Sequence, residues 1–69
     1  MTTQQIEAVR AQLSKSDLVC LGGGHLEWIL AQPNPAITAH CRAVGMWDAN
    51  NLAMCATYER LEKAIKAVA

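Results

Sequence analysis

The chain has 69 residues, enough for one domain with a small core, since a chain of this length buries only about 60% of the surface that it exposes when unfolded. Six basic and six acidic side chains give a formal net charge of zero, so the basic excess behind most nonspecific nucleic-acid binding is absent. Because 52% of the residues are hydrophobic and only 17% are charged, we expect some apolar side chains to face a partner chain.

The cysteines, Cys20, Cys41 and Cys55, form an odd set without paired spacing, whereas disulfide-stapled secreted domains carry even sets. We therefore expect reduced thiols in an intracellular protein. No apolar run approaches the roughly 18 residues that a membrane span needs, and no signal-peptide pattern precedes the first predicted helix. The sequence thus predicts a cytosolic protein.

The first predicted element is a helix over residues 4–14. Thr2 and Gln5 match the capping-box pattern that satisfies free amide groups at the start of a helix. The apolar residues at helical spacing are Ile6, Val9 and Leu13. The run LVCL that follows either extends the helix or forms a strand, because periodicity does not distinguish the two.

Three glycines at 22–24 then separate this run from HLEWILAQ, which places Leu26, Ile29 and Leu30 on one side of a helix. A phosphate-binding loop would need Gly-Lys-Ser/Thr, and here His25 follows the glycines, so we expect a tight turn between helices. A β-hairpin over residues 17–30 is the alternative. The helical interpretation is preferred.

The prolines of QPNP end that helix, because proline lacks the amide donor and restricts the residue before it. Pro35 suits the first position of the next helix, with Asn34 as its cap. In this helix Ile37, Cys41 and Val44 recur at i, i+4 and i+7.

The last predicted helix, Leu52–Val68, is rich in alanine, leucine, glutamate and lysine, as helices prefer. Five of its apolar residues recur at alternating intervals of four and three, which is a heptad-like pattern typical of self-association. We call these five residues the apolar seam: Met54, Tyr58, Leu61, Ile65 and Val68. The sequence therefore predicts an all-α bundle that is completed as a homodimer through the C-terminal helix.

No pattern indicates catalysis or a bound cofactor. Cys20, His25, His40 and Cys41 carry suitable atoms for zinc, but the adjacent pair would point about 100° apart on a helix. A nucleophilic cysteine would need a base held beside it, and nothing in the sequence brings one there. We expect a protein without enzyme activity, metal or cofactor.

The rare aromatic residues point instead to protein binding. Tryptophan and arginine are favoured anchors of protein interfaces, and exposed charged residues commonly surround them. On this argument the predicted partner-binding residues are Glu27, Trp28, Trp47 and Arg60.

In length and character, the whole chain from MTTQQIEAVRAQ to YERLEKAIKAVA resembles the small early proteins of Mu-like Pseudomonas phages, and among them the anti-quorum-sensing anti-activators. The resemblance implies a helical homodimer in the host cytoplasm. It also implies inhibition of two host proteins by binding: the LuxR-type quorum-sensing activator LasR and the type IV pilus assembly ATPase PilB.

The alternative function is that of a small helix-turn-helix DNA-binding transcription regulator, with the turn at GGGH or at PNP. Such a regulator needs Arg, Lys, Asn or Gln at the start of its recognition helix. The first candidate helix offers His25 and Glu27, and the second offers Thr38, His40 and Arg42. Neither set is strongly basic, so protein binding is the preferred interpretation.

Overall fold

The computed structural model describes residues 1–45 and 51–69. Within these ranges the chain forms five helices and no strand, which confirms the predicted all-α fold. The helices are α1 (Thr3–Ala11), α2 (Lys15–Leu21), α3 (Gly23–Leu30), α4 (Pro35–Gly45) and α5 (Leu52–Val68). Since α2 and α3 occupy the place of the alternative hairpin, that alternative is wrong. None of the described helices is long and apolar enough to cross a membrane.

Side-chain caps start helices α1, α2 and α4, and the caps at Thr2 and Asn34 are those predicted from the sequence. Thr2 and Gln5 form the capping box, with the Gln5 amide 3.1 Å from Thr2 Oγ1 and the Thr2 amide 2.8 Å from Gln5 Oε1. Ser14 Oγ accepts a hydrogen bond from the Asp17 amide at the start of α2. Asn34 Oδ1 likewise accepts from the third residue of α4, at 3.3 Å. These caps satisfy amide groups that have no partner within their helix.

The triple glycine forms the predicted corner, but only one of its residues makes the turn. Gly22 has a φ of 74°, in the left-handed region that favours glycine, and it both ends α2 and precedes α3. Gly23 and Gly24 already belong to the first turn of α3. A single residue therefore reverses the chain between these two helices.

The core is built around α5, which contacts α1, α2 and α4. Within the seam, Tyr58, Leu61 and Ile65 are at most 2% exposed, and Met54 and Val68 pack partly buried against the same core. The prediction of a dimer interface along this seam therefore needs correction, because its side chains already pack inside their own chain. The homodimer itself stays a prediction.

Helices α4 and α5 pack closely through small side chains. Ala39 and Ala43 of α4 and Ala64 of α5 are all buried in the core, where their size lets the two backbones approach. On one flank of this contact, His40 Nδ1 lies 3.0 Å from Glu62 Oε1, and Lys66 Nζ lies 2.7 Å from Glu62 Oε2. Since alanines form the inner side of α4, its larger apolar residues face outwards.

A buried carboxylate ties α2 to α5. Asp17 is only 3% exposed and accepts two hydrogen bonds from Arg60, to Oδ2 from Nε at 2.9 Å and to Oδ1 from a terminal nitrogen at 2.6 Å. Thr57 Oγ1 donates to Asp17 Oδ1 at 3.2 Å. A two-pronged guanidinium contact holds a carboxylate in a defined orientation. These bonds therefore fix how α2 lies on α5.

The first testable prediction concerns acid stability. Hydrogen bonds from Arg60 lower the pKa of Asp17 from 3.8 to about 2, against the raising effect of burial. Because the pKa is lower in the folded state, the stabilisation is complete above the unfolded value and is lost as the pH falls from about 4 to 2. We expect the wild type to lose up to about 2 kcal/mol of unfolding free energy there, measured by urea denaturation.

In Asp17→Asn, that step in the pH profile should disappear and stability should be lower at neutral pH. Glu7→Gln, which alters an exposed carboxylate, serves as control and should keep the step. An unchanged profile in Asp17→Asn would show that another group causes the acid sensitivity.

The second prediction separates the three glycines. Gly22→Ala should destabilise the protein by about 1 kcal/mol, because alanine is strained at positive φ even though its Cβ would meet no atom within 4 Å. Gly24→Ala, also with open space at its Cβ, should be neutral or stabilise by up to about 1 kcal/mol, since alanine favours helix. Thermal and urea unfolding compare the two. Equal effects would contradict the single-residue corner.

Candidate functional site

The most prominent exposed aromatic residue of the described chain is Trp28 on α3. Leu26, Ile29 and Leu30 turn into the core from the same helix, which leaves Trp28 on its outer side with 48% of its surface exposed. Its ring is stacked on that of His25, with the centroids 6.0 Å apart and the planes 9° from parallel. The two rings form one stacked aromatic surface.

This surface is anchored to the core through His25. Its Nε2 lies 2.7 Å from the hydroxyl oxygen of Tyr58, and the two rings meet edge to face at 5.9 Å. Tyr58 is 2% exposed, and burial raises the pKa of its phenol. A partly buried histidine held in this way restricts the orientation of Trp28.

The guanidinium of Arg42 also lies over the Trp28 ring. Arg42 of α4 places its guanidinium carbon 5.3 Å from the centroid of the Trp28 ring, within the range of a cation–π interaction. No acidic side chain of residues 1–45 or 51–69 forms an ion pair with Arg42. Within these ranges no carboxylate occupies its hydrogen-bond donors. We call His25, Trp28 and Arg42 the Trp28 site.

Glu27 precedes Trp28 on α3, and most of its side chain is exposed to solvent. Its carboxylate is 3.3 Å from Arg10, and its side chain is 69% exposed. Exposed pairs of this kind contribute little to stability, because solvent and salt screen them. Glu27 therefore presents a solvent-accessible carboxylate that is paired with Arg10.

Two of the four predicted partner-binding residues, Glu27 and Trp28, are neighbours on α3, but Glu27 contacts Arg10 of α1 whereas Trp28 contacts Arg42 of α4. Arg60 is 54% exposed along its side chain, but its guanidinium is bonded to Asp17, so its first role is structural. Trp47 lies outside the described residues.

His25 and Arg42 are not among the four partner-binding residues predicted from the sequence. The Trp28 site joins side chains from α3, α4 and, through Tyr58, α5. Residues this far apart along the chain share no local spacing. Only the packing of the helices shows that they meet.

No match to this chain was found among protein-family models, curated proteins or solved structures. The interpretation of the site therefore rests on its geometry. In the described part of the chain, no group of three or more His, Cys, Asp or Glu side chains could hold a metal ion.

The side chains proposed to read DNA are engaged within the protein. His25 is bonded to Tyr58, His40 to Glu62, and Arg42 lies over Trp28. Base readout would require these groups to leave such contacts and reach the edges of bases.

The third prediction tests the anchor. Tyr58→Phe removes the hydroxyl that bonds His25 and should lower the unfolding free energy by about 1 kcal/mol, the usual net value of such a bond. Chemical denaturation at neutral pH measures it. His25→Ala should cost a similar amount, and the double variant should cost clearly less than the sum of the two. Strict additivity would show that the pair does not stabilise the fold.

Proposed function

We propose that this chain is a protein-binding module that inhibits its partner by covering a surface which that partner needs. The observation that carries the proposal is the Trp28 site. A large aromatic side chain is half exposed, held by a histidine anchored in the core, and covered by an arginine that forms no ion pair with an acidic side chain of residues 1–45 or 51–69.

Restricted orientation is what makes this site suitable for binding. A flexible exposed side chain loses conformational entropy on association, which costs about 0.5–1.5 kcal/mol for each side chain that becomes fixed. Trp28 is already stacked on His25, which is bonded to Tyr58. Much of that cost therefore falls on folding rather than on binding.

The chemistry of the site also describes its partner. The indole offers apolar area, and Arg42 offers donors in a planar arrangement that matches a carboxylate. A partner segment with an apolar side chain beside an aspartate or glutamate would satisfy both groups.

The resemblance to small early proteins of Mu-like phages supplies candidate partners for this surface. On that resemblance, the chain would act in the host cytoplasm on the activator LasR and the pilus ATPase PilB. A domain of 69 residues has room to sequester such proteins by steric occlusion, without a catalytic step.

The alternative, a DNA-binding regulator, is a separate class of function. The formal net charge of zero and the engagement of His25, His40 and Arg42 within the protein argue against it. A gel shift at low salt distinguishes the two. Salt-sensitive retention of host or phage promoter DNA by the wild type would favour the regulator.

The fourth prediction measures partner binding by titration calorimetry with purified LasR and PilB. Trp28→Ala and Arg42→Ala should each weaken binding at least about 10-fold, since truncating an interface anchor commonly costs more than 1 kcal/mol. Both should keep the wild-type helical circular dichroism, because the replaced side chains are exposed. Val19→Ala and Lys15→Ala, which change exposed residues of α2, are the matched controls.

Normal binding by both Trp28→Ala and Arg42→Ala would show that the Trp28 site is not the contact surface. If the wild type binds neither LasR nor PilB, the partners implied by the resemblance are wrong. Immobilised wild type and Trp28→Ala would then be compared on host lysate, and equal capture by both would overturn the proposed site.

A further inference from the structure

The Trp28 site contains a group that gains a charge near neutral pH, the imidazole of His25. Histidine is the side chain that ordinarily changes its charge between about pH 5 and 8. His25 is partly buried, and no acidic side chain of residues 1–45 or 51–69 forms an ion pair with it. A proton on His25 is therefore not neutralised by a carboxylate of the described chain.

The groups that face His25 from the neighbouring helices are neutral or cationic. The Tyr58 hydroxyl of α5 lies 2.7 Å from Nε2, and Arg42 of α4 lies over the indole on which His25 is stacked. Burial raises the pKa of Tyr58, with a smaller contribution from Cys20 of α2, which is the other titratable group near the phenol. Phenols and thiols are ordinarily neutral at neutral pH.

The acidic residue closest to His25 in the sequence, Glu27, has another partner. It follows His25 by two positions, so the two side chains project about 200° apart around α3. The Glu27 carboxylate lies 3.3 Å from Arg10 of α1. Glu27 therefore does not supply the negative charge that a protonated His25 would attract.

The contact that holds His25 is compatible with both of its charge states. A hydroxyl both donates and accepts hydrogen bonds, so the Tyr58 hydroxyl donates to Nε2 of the neutral imidazole and accepts from Nε2 of the imidazolium. The stack on Trp28 also accepts a cation, because the face of an indole attracts positive charge. Protonation of His25 thus adds a charge to the Trp28 site and keeps its anchor.

We propose that the Trp28 site binds an acidic segment together with a proton, which His25 takes up. A carboxylate bound to Arg42 places a negative charge beside the indole that His25 shares. This charge favours the protonated imidazole, and by linkage a protonated His25 favours the carboxylate to the same extent. Affinity for an acidic segment therefore rises as the pH falls from about 7.5 to 5.5.

The direction of this change depends only on the signs of the two charges and not on the strength of binding. The inference rests on the proposed function, because it requires that Trp28 and Arg42 receive the acidic segment. It adds a third contact residue, His25, and a dependence on pH that Arg42 alone would not give, since guanidinium stays charged throughout this range.

The second histidine of the chain provides an internal control. His40 Nδ1 lies 3.0 Å from Glu62 Oε1, so a carboxylate of the chain already neutralises a proton on His40. His40 and Arg42 are two residues apart and therefore project about 200° apart around α4. Protonation of His40 should leave binding at the Trp28 site unchanged.

The fifth prediction is tested by nuclear magnetic resonance titration of the full chain with two blocked peptides. One is acetyl-Ala-Leu-Glu-Ala-amide, and the other has Gln in place of Glu, so that the two differ only in charge. The Glu peptide should shift the indole signal of Trp28. Its affinity should be about 3- to 10-fold higher at pH 5.5 than at pH 7.5, the size expected for one added charge at a solvent-screened distance. The Gln peptide should show no such difference.

The same coupling is measured in reverse on the wild type. As the Glu peptide is added, the midpoint of the pH titration of the His25 ring protons should move to higher pH, whereas that of His40 should stay in place. His25→Gln should remove the pH dependence of peptide binding. His40→Gln and Cys20→Ser are the controls and should keep it. The midpoint shift needs no variant, so it tests the coupling even if His25→Gln folds poorly.

The outcomes separate this inference from the proposed function. If the Trp28 signal stays in place with the Glu peptide at both pH values, the site does not bind acidic segments, and both proposals are overturned. If the Glu peptide binds equally at both pH values, only the proton coupling is overturned. An unmoved His25 midpoint, the same pH dependence with the Gln peptide, or its loss in His40→Gln would also overturn the coupling.

Discussion

The packing of α5 against α1, α2 and α4 is the interaction on which the rest of this structure depends. This helix has 17 residues, and its buried side chains form the centre of the core. The short chain has few other residues to add to that core. A chain of this size buries a limited share of its apolar surface. Once the seam of α5 is used inside the chain, other apolar side chains remain outside.

On α4, small residues form the side that faces the core, and this determines which larger side chains are exposed. Because Ala39 and Ala43 face α5, the helices approach closely, and Ile37 and Val44 of α4 are left on the outer side. The same limit leaves Trp28 at the surface, while three aliphatic neighbours on α3 fill the core. Two exposed surfaces result: an apolar one on the outer side of α4, and one that combines Trp28 with Arg42.

Polar contacts fix one pair of helices and support the Trp28 site. Asp17 and Arg60 fix α2 on α5, and the buried hydroxyl of Tyr58 holds His25, which supports Trp28. In the part of the chain that the structure describes, every buried side-chain polar atom has a hydrogen-bond partner. The hydrogen bonds to Asp17 give Arg60 a structural role. An arginine at the surface is therefore not necessarily a partner contact.

By itself, the sequence determined the local structure of this protein. Some local features depend only on residues within a few positions of each other. They are the cap at Thr2, the helix end at the prolines, the turn at the glycines and the extent of the helix Leu52–Val68. Sequence also indicated Glu27 and Trp28, because exposed aromatic and charged residues are recognisable by type.

Only the tertiary structure decided which side of each helix is covered. Periodicity shows that Ile37, Cys41 and Val44 share one side of α4, but it cannot show whether that side or the alanine side meets α5. It equally cannot show that the α5 seam fills its own core rather than a dimer contact. Burial is shared among helices far apart in the chain, so it is settled by their packing and not by the spacing within any one of them.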